Sequence, residues 1–150
     1  MLAFRIRTAG TGKGRKAMLT GLRQFEPQAY AVMRMIFGFL FMFHGLQKVF
    51  GMFGARPVEL LTLRGVGGLM EVIGGPLITF GFLAVPTAFI CSGEMAVAYF
   101  MSHQPRGLWP IQNGGELAVL YCFVFLYMAA RGAGIWSIDA ARKSGKSGGK

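Results

Sequence analysis

A chain of 150 residues holds one domain, and this one is 53% hydrophobic with 15% charged residues, against the roughly 25% that soluble globular chains carry. Its net charge of +10 would favour nucleic acid in a soluble domain, but the basic residues gather at the two ends: Arg5, Arg7, Lys13, Arg15, Lys16 and Arg23 before the first apolar run, Arg131, Arg142, Lys143, Lys146 and Lys150 after the last. Basic ends around an apolar middle point away from nucleic acid and toward a bilayer with anionic headgroups.

Residues 1–29 form a basic N-terminal segment, read as mobile over 1–16 and as a short interfacial helix over 17–28, with Pro27 marking the entry to the membrane. The segment lacks the apolar stretch and small-residue cleavage site of a signal peptide. Four apolar runs follow, at 30–50, 65–83, 86–102 and 114–131, each near the ~20 residues that cross the hydrocarbon core. They predict an all-α integral membrane protein, a four-transmembrane-helix bundle over 30–136, followed by a basic tail over 137–150. The 23 glycines suit close helix packing in such a bundle. A soluble helical bundle would need polar faces, and 31–43 and 117–130 show almost none.

The short link at 81–85 predicts a tight antiparallel hairpin between the second and third helices, with Pro86 in the first turn of the third. Asn113-Gly114-Gly115-Glu116 reads as a capping arrangement, with Asn113 as N-cap. Cys91 and Cys122 lie in apolar runs without a C-x-x-C spacing and read as buried small residues. Basic residues concentrate in the tails, whereas the two longer links carry only Arg56 and Arg64, and Arg106. The positive-inside rule then puts both termini in the cytoplasm.

Ionisable groups within a membrane cost roughly 2.5–3.5 kcal/mol each on insertion scales and mark sites of function or assembly. Three of the six acids, Glu71, Glu94 and Glu116, fall in apolar runs, and Arg34, His44 and Lys48 lie in the first. Helical spacing puts Arg34, Gly38, Phe41, Gly45 and Lys48 on one stripe, and Arg64, Gly67, Gly68, Glu71, Gly74, Gly75 and Ile78 on one face of the second helix. These six glycines, Gly38, Gly45, Gly67, Gly68, Gly74 and Gly75, are the expected helix-packing positions. Counting depth at 1.5 Å per residue sets Glu71 about 9 Å into its helix, level with the end of the first. His44, Lys48, Glu71, Asn113 and Glu116 are therefore expected to meet in one polar cluster in the outer leaflet, with Arg34 and Glu94 as a second, deeper pair. Such pairs also serve simply to fix helix register. Two His and the glutamates follow no recognised metal-ligand spacing, and no haem, iron–sulfur, Rossmann or P-loop signature is present.

His44-Gly45-Leu46-Gln47-Lys48, preceded by Arg34 and Gly38, resembles the opening motif of the DoxX family. So do Gly68-x-x-Glu71-x-x-Gly74-Gly75, Asn113-Gly114-Gly115-Glu116-x-Ala118 and Gly132-Ala133-Gly134-x-Trp136-Ser137-x-Asp139, in that order. The resemblance spans residues 30–139. It implies a small protein of the bacterial cytoplasmic (inner) membrane linked to membrane redox chemistry, as in subunits of thiosulfate:quinone oxidoreductase. On that reading the chain is a subunit of a redox assembly without a redox centre of its own, binding quinone at the polar cluster. The alternatives are a non-catalytic packing or assembly subunit, self-associating or docking other membrane subunits on its glycine face, and a small-solute transporter.

Overall fold

The computed structural model describes residues 21–147, so the reading of 1–16 as mobile, and of 17–20 as helical, lies outside the described residues. Within them every regular element is helical. The helices are α1 (Glu26–Phe50), α2 (Leu63–Phe80), α3 (Ala84–Ala98), the short α4 (Pro110–Asn113), α5 (Glu116–Arg131) and α6 (Ile138–Ser147). α3 does not stop at Ala98. It runs on through a π turn at Tyr99–His103 and a 3-10 turn at Gln104–Arg106.

Local chemistry sets the ends. Pro27 sits in the first turn of α1, where its missing N–H costs nothing. Gly51, at φ 66°, closes α1, and Gly81, at φ 64°, closes α2, each in the left-handed conformation that glycine adopts without a Cβ clash. Thr62 caps α2 by accepting from the Gly65 amide at 3.2 Å. The amides at the start of α3 find their acceptor far along the chain: Asp139 Oδ1 takes Leu83 N at 3.1 Å and Oδ2 takes Ala84 N at 2.9 Å. Asn113 is not the N-cap of α5. Gly115 holds that position, and Asn113 closes α4 two residues earlier.

Glycine decides how the helices pack. A Cβ added to Gly38 would lie 2.7 Å from Gly75 O and from Thr79 N, and one added to Gly45 would lie 2.5 Å from Val72 N. α1 and α2 therefore touch backbone to backbone, which any larger residue would prevent. Gly74 lies against Cys91 Sγ of α3, at 2.6 Å from its would-be Cβ. Along α2, Gly68 and Gly75 thus serve α1, and Gly67 and Gly74 serve α3. α5 closes the bundle against α3, around a core of Phe41, Ile78, Cys91, Tyr121, Phe125 and Met128.

The outward faces are apolar. Ile36, Phe39, Ile73, Phe89, Ile90 and Phe123 are all exposed, a surface suited to lipid tails. The expectation of four transmembrane helices is nevertheless corrected. Two helices are long and apolar enough to cross a membrane: Glu26–Phe50 and the continuous Ala84–Arg106. α5 has 16 residues, about 24 Å of helix against a hydrocarbon core of about 30 Å. α2 has 18 residues, but Arg64, Glu71, Pro76 and the glycines dilute its apolar character. The reading of both termini as cytoplasmic rests on the basic tails and on an even number of spans, which two satisfy as four do.

Candidate functional site: a cleft between α2 and α3

The first turns of α2 build the site. Successive glycines, Gly67 and Gly68, point to opposite neighbours. A Cβ on Gly68 would lie 3.0 Å from Lys48 Cβ of α1, and one on Gly67 would lie 2.9 Å from Glu94 Oε1 of α3. Bare backbone here admits two charged side chains from two helices. One turn further, Glu71 accepts a hydrogen bond from Lys48 Nζ at 2.6 Å. Glu71 is 1% exposed, whereas 28% of the Lys48 side chain is exposed. Lysine carries its charge to the edge on a flexible stem and leaves the carboxylate inside.

Two acceptors near this pair are not satisfied by protein. Glu71 Oε2 and Glu94 Oε2 are both buried without a hydrogen-bond partner among the described residues. Buried polar atoms without partners are uncommon and call for an explanation. Glu94 also lines a cleft of about 720 Å³, within the range of small-molecule sites. Val66, Gly67, Met70, Val97 and Ala98 make its apolar walls, and Lys48, Arg64, His103 and Arg106 supply the basic groups. The cleft is thus amphipathic, with several donors and one carboxyl.

The residues singled out in the sequence are distributed as follows. Lys48 and Glu71 meet directly. His44 is half-buried and packs edge-on against the Tyr121 ring, with centroids 5.9 Å apart, and does not line the cleft. Asn113 is engaged in the loop: its Nδ2 donates to Gly107 O and its Oδ1 accepts from Gly115 N, both at 2.8 Å. Glu116 is exposed in the first turn of α5, away from the cleft. Arg34 is fully buried, and its guanidinium donates to three carbonyls, Ile78 O at 2.6 Å, Thr79 O at 2.5 Å and Trp136 O at 2.8 Å, so it caps α2 instead of meeting Glu94.

Arg64, on the Glu71 face of its helix, and His103 and Arg106, in the link after the third run, are not among the site residues expected from the sequence. His103 and Arg106 are one turn apart, an i, i+3 spacing that signals a shared face once α3 is known to continue past Ser102. His103 Nδ1 lies 2.8 Å from Arg106 Nη2 and 3.3 Å from Asn113 O; a guanidinium only donates, so the shorter contact makes Nδ1 the acceptor and assigns the ring proton to Nε2. Among the described residues no three His, Cys, Asp or Glu side chains gather as a metal site.

Apolar outer faces, glycine-mediated helix contacts and an interhelical ion pair beside an amphipathic cleft define a small helical membrane protein. The DoxX family model matches residues 29–104, just over half of the chain, and the chain belongs to the DoxX family. It is similar to a Haemophilus influenzae protein described as uncharacterized, 34% identical over 132 residues that cover 81% of this chain and 96% of the relative. No solved structure matches.

Proposed function

We propose that this chain is a subunit of a redox assembly in the bacterial cytoplasmic membrane and that it holds a quinone in the cleft between α2 and α3. The observation that carries the reading is the unpartnered carboxyl oxygen of Glu94 in an amphipathic cleft that Lys48, the partner of Glu71, also lines. The linkage to redox chemistry is what the family resemblance implies.

The residues fit such a ligand. Lys48 Nζ spends one N–H on Glu71 and keeps two for a quinone carbonyl oxygen. Glu71 fixes the ammonium in place and, being buried, holds it there with little competition from water. Glu94 is the carboxyl in the cleft able to exchange a proton with the ligand oxygen. Val66, Met70 and Val97 shelter the ring from water. A bound quinone would supply the electron-carrying chemistry that no side chain here provides.

The test is saturable binding of a water-soluble short-chain quinone to the purified protein, read by quenching of tryptophan fluorescence. The wild type should bind, and Glu94→Gln and the neutral pair Lys48→Met/Glu71→Gln should each weaken binding about tenfold, the loss of one or two good hydrogen bonds. Equal binding by all three proteins would remove the quinone reading.

The competing reading as an assembly subunit drew on a glycine face free to dock a partner helix. Those glycines are occupied within the chain: Gly67 and Gly74 by Glu94 and Cys91, Gly68 and Gly75 by Lys48, Val49 and Met42. Association with other subunits is left to the exposed apolar faces.

A further inference from the structure

We propose that the mouth of the same cleft is a phosphate-group site, formed by Arg64, His103 and Arg106. The proposal goes beyond the quinone reading and does not depend on it.

Three observations lead there. The first is placement. α1 ends at Phe50, α2 begins at Leu63 and the helical continuation of α3 ends at Arg106, and the Lys48–Glu71 bond and the cleft join these ends at one end of the bundle. Phe50 and Arg106 end the two helices that are long and apolar enough to cross a membrane, and the ends of helices that cross it lie at headgroup level.

The second is charge. Four basic side chains line the cleft and one acid does, Glu94. Nine residues separate Glu94 from His103, about 13 Å along the helix, so it sits toward the inner end. Lys48 is committed to Glu71, and the other ion pair among the described residues joins Arg131 to Glu26. Neither Arg64 nor Arg106 forms an ion pair among the described residues, and both bring guanidinium charge to the mouth.

The third is the donor set. Arg106 Nε donates to Ser102 O at 3.1 Å and Nη2 to His103 Nδ1 at 2.8 Å, which fixes the guanidinium on the cleft wall and leaves Nη1 free. The same bond leaves His103 Nε2–H as a donor. Arg64 adds its own fork from α2. Donors carried by two different elements, with no acceptor among them, match an anion with several oxygens in three dimensions. A tetrahedral phosphate meets that description better than a planar carboxylate. Its source is either a phospholipid headgroup or free phosphate, and the two are separated by experiment.

The full-length protein, delipidated in neutral detergent, is titrated with inorganic phosphate against chloride at matched ionic strength, with thermal unfolding as the readout. In parallel it is reconstituted in nanodiscs of phosphatidylcholine alone or with phosphatidylglycerol, and retained lipid is counted by native mass spectrometry. Stabilisation by inorganic phosphate identifies the free anion, and selective retention of phosphatidylglycerol identifies the headgroup. In whichever arm binds, Arg64→Gln/Arg106→Gln should weaken binding about tenfold or more, and the tail variant Arg142→Gln/Lys143→Gln should leave it unchanged. Should the cleft variant fail to fold, Arg64→Lys/Arg106→Lys keeps the charge and loses the fork, and is expected to weaken binding by a smaller factor. Binding in neither arm, or a tail variant that loses as much as the cleft variants, overturns the proposal. Neither result bears on quinone binding, which is read by a different probe.

Discussion

Lys48 Nζ donates to Glu71 Oε1 at 2.6 Å across the α1–α2 contact, three residues along each helix from the Gly45–Gly68 approach that lets the two backbones meet. The glycine contact sets the separation of the helices, and the ion pair sets their register. Neither works alone: without the glycines the lysine would not reach, and without the lysine a buried carboxylate would face apolar surroundings.

Lys48→Met should therefore destabilise the fold by about 3 kcal/mol, because it leaves the Glu71 carboxylate buried and uncompensated. Lys48→Met/Glu71→Gln should recover most of that loss, since a neutral amide costs far less to bury than a charge. Thermal unfolding in detergent of the two single variants and the double variant measures the coupling.

Glycine substitutions should divide by position. Gly75→Ala places a Cβ 2.7 Å from Gly38 O and Met42 N, backbone atoms that cannot swing away, and should cost about 3 kcal/mol or prevent folding. Gly93→Ala, on α3, meets nothing within 4 Å and should stabilise by up to about 1 kcal/mol through helix propensity. Helix content and unfolding temperature of the pair are the readouts.

Arg34 ties the end of α2 to the chain beyond α5, since its three acceptors come from Ile78, Thr79 and Trp136. Arg34→Met should leave those carbonyls without their donor and free residues 132–137, seen as faster proteolytic cleavage there. Arg34→Lys should not restore protection, because one ammonium cannot reproduce the planar fork.

Asp139 caps α3 from outside its own helix, so Asp139→Ala should cost about 1 kcal/mol and Asp139→Asn less, by the usual scale of N-cap losses. Hydrogen exchange at Leu83 and Ala84 should rise first. The same contact explains Ser137-x-Asp139 at the end of the resemblance: Ser137 packs on Gly81, and the Asp139 amide donates to Gly81 O at 3.0 Å, which docks this segment on the α2–α3 turn.

The helices themselves were legible because apolar runs and glycine punctuation are local signals. Gly51 and Gly81 stop α1 and α2 where a left-handed residue is needed. The Lys48–Glu71 meeting was legible from depth and face alone. The count of spans was not, because an apolar run does not disclose how much of it is helix: the fourth run begins at Gly114, but α5 starts at Glu116 and ends at Arg131. Arg34 was misassigned to Glu94 because sequence displays opposite charges and hides backbone carbonyls, which are its partners. Arg64, His103 and Arg106 were missed because the cleft depends on α3 continuing beyond Ser102 through π and 3-10 turns, which periodicity does not announce.

The most direct test of the ligand cleft is photolabelling with a short-chain azidoquinone, followed by peptide mass spectrometry to locate the adducts. Adducts are expected only in 63–70 and 94–106, competed away by unlabelled quinone and reduced in Glu94→Gln. Adducts spread over outward-facing positions such as Phe89 and Phe123, unaffected by competitor or by that substitution, would contradict it.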